Sequence, residues 1–292
     1  MKIIGKCKKI NPILPLYIVV GLLAVAIPVR TYQFLFITEG GTGFYKTIDW
    51  SVYVLYGLSA VALLVSYIFV YLAKNVPASK DEIRKKNPTL AIASVLFALG
   101  IIADSVMAFV SLLTVQVEQD AFFAVCVEAI FGLFSAIYIL VFGISHFDGK
   151  TTYAQLKFLA LAPLFWATGR MIVRILKKIA YVNVADLMLE LGVLAFMMIF
   201  FLAFARISTG LANEKSMRSL FASGYACLFF CALANIPRVI VFITGNNILL
   251  AEEYPISISD LVCSIFIAAY IVNTMKKATV NDHDELYSKD DK

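Results

Sequence analysis

Eight apolar runs, separated by short polar connections, leave this chain few ways to fold. A bilayer core is crossed by a helix of about 20 apolar residues, and any unpaired backbone there is heavily penalised. The runs lie at 13–37, 50–73, 89–115, 121–146, 156–176, 184–205, 219–244 and 256–275. The expected fold is therefore an all-α integral membrane protein, a bundle of about eight transmembrane helices. Charged residues make up only 15% of the chain, against about 25% in soluble domains, so little sequence remains for a soluble domain. The expected division is a basic N-terminus at 1–12, one polytopic domain at 13–275 and a tail at 276–292. Asp282, Asp284, Glu285, Asp290 and Asp291 fall among polar residues in that tail, a composition that predicts disorder. The first run follows Lys2, Lys6, Lys8 and Lys9 but is long and lacks a small-residue cleavage site. It reads as a retained span and not a signal peptide.

Lysine and arginine in the connections set the orientation. One side collects the N-terminal lysines, Lys74 to Lys86, Lys150, Lys157, Arg206, Lys215, Arg218, Lys276 and Lys277. The other holds Lys46, Lys177 and Lys178. Both termini are expected in the cytoplasm, and such loops suit a bacterial plasma membrane. The net charge of +5 resides mostly in these loops; it orients the chain in a lipid bilayer and points to no nucleic-acid partner. The basic connection at 75–88 reads as an orientation signal ahead of a headgroup-binding site.

Nine charges stand inside the apolar runs, away from their cytoplasmic ends: Arg30, Asp104, Glu128, Arg170, Arg174, Asp186, Glu190, Arg238 and Asp260. Left in lipid, each would cost ~3 kcal/mol near mid-membrane, and the sum exceeds the stability of most proteins. They must converge. In the expected orientation Arg30, Asp104, Arg170 and Arg238 reach a similar depth in the outer half, and the acids of the even-numbered spans also lie there. Equivalent charges recur roughly every 70 residues, which two spans and short loops produce by themselves. Their matched depth is the better sign of four repeated helical hairpins. Pro28, Pro237 and Pro163 precede Arg30, Arg238 and Arg170. Each is expected to remove a helix hydrogen bond and leave a carbonyl one turn back without its usual donor, giving either a kinked, hydrated outer half or ordinary packing irregularity.

The segment 163–192 is the leading candidate site. Arg170 and Arg174 share one helix face, as do Asp186 and Glu190. An antiparallel hairpin sets Arg174 level with Asp186 and Arg170 level with Glu190, a two-rung ladder of opposite charges. Two readings follow. The nine charges form an ion-pair network that exists for folding alone, or the arginines form an outward-facing site for a small anionic or zwitterionic solute. In the second reading Arg170 and Glu190 are the centre, Arg174 and Asp186 its support, and Arg238, Arg30, Asp104, Glu128 and Asp260 contribute from neighbouring helices.

Sharper chemistries lack their residues. The histidines are His146 at a span end and His283 in the tail, so a zinc protease or a Ser/His dyad has no imidazole at the outer layer. No lysine lies deep in a span to carry a Schiff base. The glycine-rich stretch from Gly40 to Thr47 puts Tyr45 where a phosphate-binding loop needs its second glycine. Cys7, Cys126, Cys227, Cys231 and Cys263 lack metal-type spacing and read as small packing residues. No cofactor or metal is expected. The function classes are, in order, a membrane protein that binds or transports a small polar solute, a non-catalytic subunit or assembly factor pairing with a membrane partner, and an enzyme acting on a lipid headgroup with Glu128 or Glu190 as base. The inner halves carry no charge and only scattered polar groups, so no relay crosses the membrane.

Overall fold

The computed structural model describes residues 14–39, 44–47, 49–72, 86–114, 119–176, 184–211, 213–250 and 256–290. The basic N-terminus, most of the basic connection at 75–88, and Glu252, Glu253 and Tyr254 lie outside them. The described chain is all-helical, and eight of its helices are long and apolar enough to cross a membrane. They are α1 (Leu14–Tyr32), α2 (Trp50–Leu72), α3 (Pro88–Thr114), α4 (Gln119–Asp148), α5 (Ala162–Leu176), α6 (Val184–Ser208), α7 (Glu214–Ile243) and α8 (Ile258–Asp290).

Local chemistry explains several helix ends. The Asn87 side chain accepts from Leu90 N at 3.2 Å, and Pro88 opens α3, where the missing N–H costs nothing. Asn213 caps α7, its side chain accepting from Ser216 N at 2.7 Å. This cap starts α7 five residues ahead of the apolar run, because a polar first turn leaves no mark in hydropathy. Gly149 and Gly210 take positive φ just beyond α4 and α6, a conformation glycine adopts without steric cost. Beyond Met275, where the last apolar run ends, the α8 backbone stays helical to Asp290. The composition of 276–292 led to an expectation of disorder, yet that segment contains no glycine or proline to stop a helix already under way.

The helices close into a ring. α3 packs on α4, α4 on α5, α5 on α6, α6 on α7, α7 on α8, and α8 returns to α3. α1 and α2 pack on each other and, from outside the ring, on α7. α7 thus touches both ring neighbours and the α1–α2 hairpin, and it is the most buried of the eight. The ring interior is filled by aromatic side chains. Phe97 of α3 stacks on Phe201 of α6 at 6.0 Å and on Phe266 of α8 at 5.2 Å, and meets Trp166 of α5 at 6.2 Å. Phe142 of α4, Phe204 of α6 and Tyr270 of α8 continue the packing toward the other end.

Glycines set the helix spacing in the ring. A Cβ on Gly169 of α5 would lie 2.9 Å from Glu128 N of α4, and one on Gly132 of α4 would lie 2.0 Å from Ser105 Oγ of α3. Gly100 of α3 approaches the Ser259 backbone of α8 in the same manner, at 3.1 Å. Gly143 faces Ser94, a pair of small residues that permits close packing.

Pro163 departs from expectation. It lies in the first turn of α5, where no intrahelical hydrogen bond is lost, so it does not open the helix below Arg170. Pro28 and Pro237 do lie inside their helices, and α1 ends in a widened π turn at Gln33–Ile37 just beyond Pro28.

Candidate functional site

The nine charges gather at one end of the bundle, where α1, α3, α5 and α7 end and α2, α4, α6 and α8 begin. They form two groups. The expected ladder is not among their contacts: Arg174 pairs with Glu190 at 3.0 Å, Arg170 pairs with Asp260, and Asp186 pairs with Arg30 and Arg238. The two-rung ladder requires both charges of α5 to face both acids of α6. Four residues advance a helix by about 400°, so Asp186 and Glu190 point about 40° apart. That divergence lets Asp186 face α7 and α1 while Glu190 meets α5.

The first group is a closed node outside the ring interior. Asp186, in the first turn of α6, accepts from Arg30 of α1 and, at 3.1 Å, from Arg238 of α7. Arg30 Nη1 also donates to Gln33 Oε1 at 2.8 Å and to the Tyr45 oxygen at 2.6 Å, and its guanidinium lies 4.3 Å from the Phe34 ring centre. Tyr45 donates in turn to Gln33 Oε1 at 3.1 Å. Burial pushes the Tyr45 phenol above its ordinary pKa, so it stays neutral here. The connection carrying Tyr45 folds back through a bridge between Thr38 and Tyr45. Tyr45 is therefore part of the node; Trp50 is exposed and stacks near Tyr32 at 6.4 Å.

The second group lies inside the ring. Arg170 reaches across it from α5 to α8, donating to Asp260 Oδ1 at 2.6 Å and Oδ2 at 3.1 Å and to Ser257 Oγ at 3.4 Å. Ser257, just before α8, also accepts from Asp260 N at 3.3 Å, and its own N–H donates to Asn235 Oδ1 of α7 at 3.0 Å. Ser259 donates to Asp104 of α3. Glu128 stands beside Gly169 in the field of Arg170, Asp104, Asp260 and Glu190. Below Arg170, Trp166 presents its ring 5.1 Å from the guanidinium carbon.

No family model, curated protein or solved structure matches this chain.

Charge and exposure separate the two groups. In the node two guanidiniums hold one carboxylate, and Asp186 is only 3% exposed in its side chain. Within the ring, four carboxylates meet two guanidiniums, and the Glu190 side chain is 27% exposed. Asp104 and Glu128 are half-buried. The node is closed on itself, whereas the ring layer keeps part of its carboxylate surface exposed. Among the described residues no set of three His, Cys, Asp or Glu side chains is placed to hold a metal ion. Cys227, Cys231 and Cys263 are buried in the packing between α7 and α8.

Sequence reasoning passed over Gln33, Ser257, Ser259, Asn235 and Trp166. Ser257 and Ser259 flank the N-terminus of α8 beside Asp260, and Gln33 lies one turn from Arg30. That proximity was a readable signal. Asn235 and Trp166 had none, because their roles depend on which helices meet.

Proposed function

We propose that this protein is a multi-pass membrane protein that binds a small polar solute at the charged end of its six-helix ring. The carrying observation is the Arg170 to Asp260 bridge across the ring interior, set among carboxylates that remain partly exposed. A guanidinium recognises carboxylate or phosphate, and a carboxylate holds an ammonium. The presence of both favours a zwitterionic solute over a simple anion, since carboxylates outnumber guanidiniums in this layer. The aromatic packing beneath, from Phe97 to Tyr270, favours binding over free passage; transport would require those rings to move apart. With the lysine-rich connections in the cytoplasm, the charged layer faces outward, and a bacterial plasma membrane is the setting we infer.

The test is a thermal-unfolding screen of purified protein against amino acids, amino alcohols, organic acids and phosphate esters, on wild type and on Arg170→Ala. A compound that binds the folded state raises the midpoint. The expected result is one compound class that stabilises wild type and not the variant. If no compound moves wild type while Arg170→Ala unfolds far earlier, the layer is structural.

A second reading draws on the node. Arg30, Asp186 and Arg238 serve only to join α1, α6 and α7, as expected of a membrane subunit whose charges specify assembly. Under that reading both groups are structural, and a partner chain takes the place of a solute.

A further inference from the structure

We propose that the solute of the ring layer carries a protonated amine, received by Glu128 and Asp104, with a neighbouring oxygen that accepts from the Trp166 indole. This rests on the solute-binding reading above and names the class of solute.

Pairing leaves a definite remainder. Asp260 takes Arg170 and Glu190 takes Arg174. Asp104 receives the Ser259 hydroxyl, a neutral donor. Glu128 has neither a hydrogen bond nor an ion pair among the described residues, although four charged side chains surround it electrostatically. Asp104 and Glu128 thus share only the field of Arg170, whose hydrogen bonds to a carboxylate go to Asp260. Three carboxylates crowd one guanidinium, a surplus of negative charge is penalised in an apolar bundle, and an ammonium group relieves it.

Trp166 supplies an independent sign of a ligand. The residue is completely buried, yet its Nε1 has no acceptor. Buried indole N–H groups nearly always find a partner. The Cδ1 atom of its ring lies 3.1 Å from the position a Cβ on Gly132 would take. Gly132 lies one turn along α4 from Glu128. Trp166 and Glu128 therefore border one seam, where α4 meets α5. Gly169 holds that seam tight against the Glu128 backbone. A compact amino alcohol or amino acid presents an ammonium and an oxygen three bonds apart, so one small molecule offers a partner to both the carboxylate and the indole N–H. A plain anion answers the indole but worsens the carboxylate surplus.

The two tryptophans make the test direct. Trp50 is 61% exposed and outside the ring, so Trp50→Phe leaves Trp166 as the sole tryptophan reporter, within the proposed site. Full-length Trp50→Phe protein in detergent is titrated with ethanolamine, and separately with acetate, while tryptophan emission is followed. The expected result is a saturable change with ethanolamine and none with acetate. The apparent affinity should fall at least tenfold in Glu128→Gln and in Asp104→Asn, each built on Trp50→Phe. Either variant suffices should the other fail to fold. A response to ethanolamine that survives unchanged in a folded variant overturns the assignment to these carboxylates. Saturation with acetate and not ethanolamine overturns the amine while leaving a solute site standing. No saturable response to either, with no midpoint shift across the wider screen, removes the solute-binding reading as well.

Discussion

Asp186 accepts from two guanidiniums on a single oxygen, Oδ1. Removing one partner of a buried pair strands the other charge, at about 3–5 kcal/mol, whereas replacing the whole set by apolar groups of similar size is often neutral. Asp186→Ala is accordingly expected to lower the unfolding midpoint sharply, and Arg30→Met with Asp186→Leu and Arg238→Met to recover most of the loss. Equal damage from the triple and single variants would mean that the node does more than hold helices. The membership of the charged end was legible in the sequence, because intramembrane charges must converge. The partners were not: Arg170 is four residues from Arg174, yet one crosses the ring to Asp260 and the other meets the adjacent Glu190. Such a choice depends on helix rotation, which no spacing along one chain segment specifies.

At the scale of helices, the apolar runs located all eight elements, since each must be long and apolar enough to cross a bilayer. Their ends followed different chemistry. α7 begins at Glu214 because Asn213 caps it, and Asn213→Ala should cost about 1 kcal/mol in unfolding experiments. The seams between helices are the sharper test. Gly169→Ala and Gly132→Ala force a methyl against Glu128 N and Ser105 Oγ, and overpacking of this kind costs about 1–3 kcal/mol. Gly21→Ala and Gly57→Ala meet nothing within 4 Å, and the helix preference of alanine should make them neutral or stabilising by up to about 1 kcal/mol. Paired unfolding midpoints distinguish the two sets. If all four substitutions behave alike, close approach of α3, α4 and α5 is not what spaces the ring. Which glycines matter became visible only once α4 lay between α3 and α5.

For the whole molecule, the ring of α3 to α8 with α1 and α2 outside it was not foreseeable, because hairpins of equal length pack in many orders. The inferred orientation has its own test. A membrane-impermeant maleimide should label Lys46→Cys in intact cells and Lys215→Cys only after lysis; the opposite pattern would turn the charged layer toward the cytoplasm. The central claim is that the charges divide into a closed lock and an open site, and one crossed comparison addresses it most directly. Unfolding midpoints are measured with and without ethanolamine for wild type, Asp186→Asn and Glu128→Gln. Asp186→Asn should lower the midpoint while keeping the ethanolamine-induced rise, and Glu128→Gln should keep the midpoint within a few degrees while losing that rise. If both variants lower the midpoint alike and ethanolamine raises none of the three proteins, the two groups are one structural network and the division is wrong.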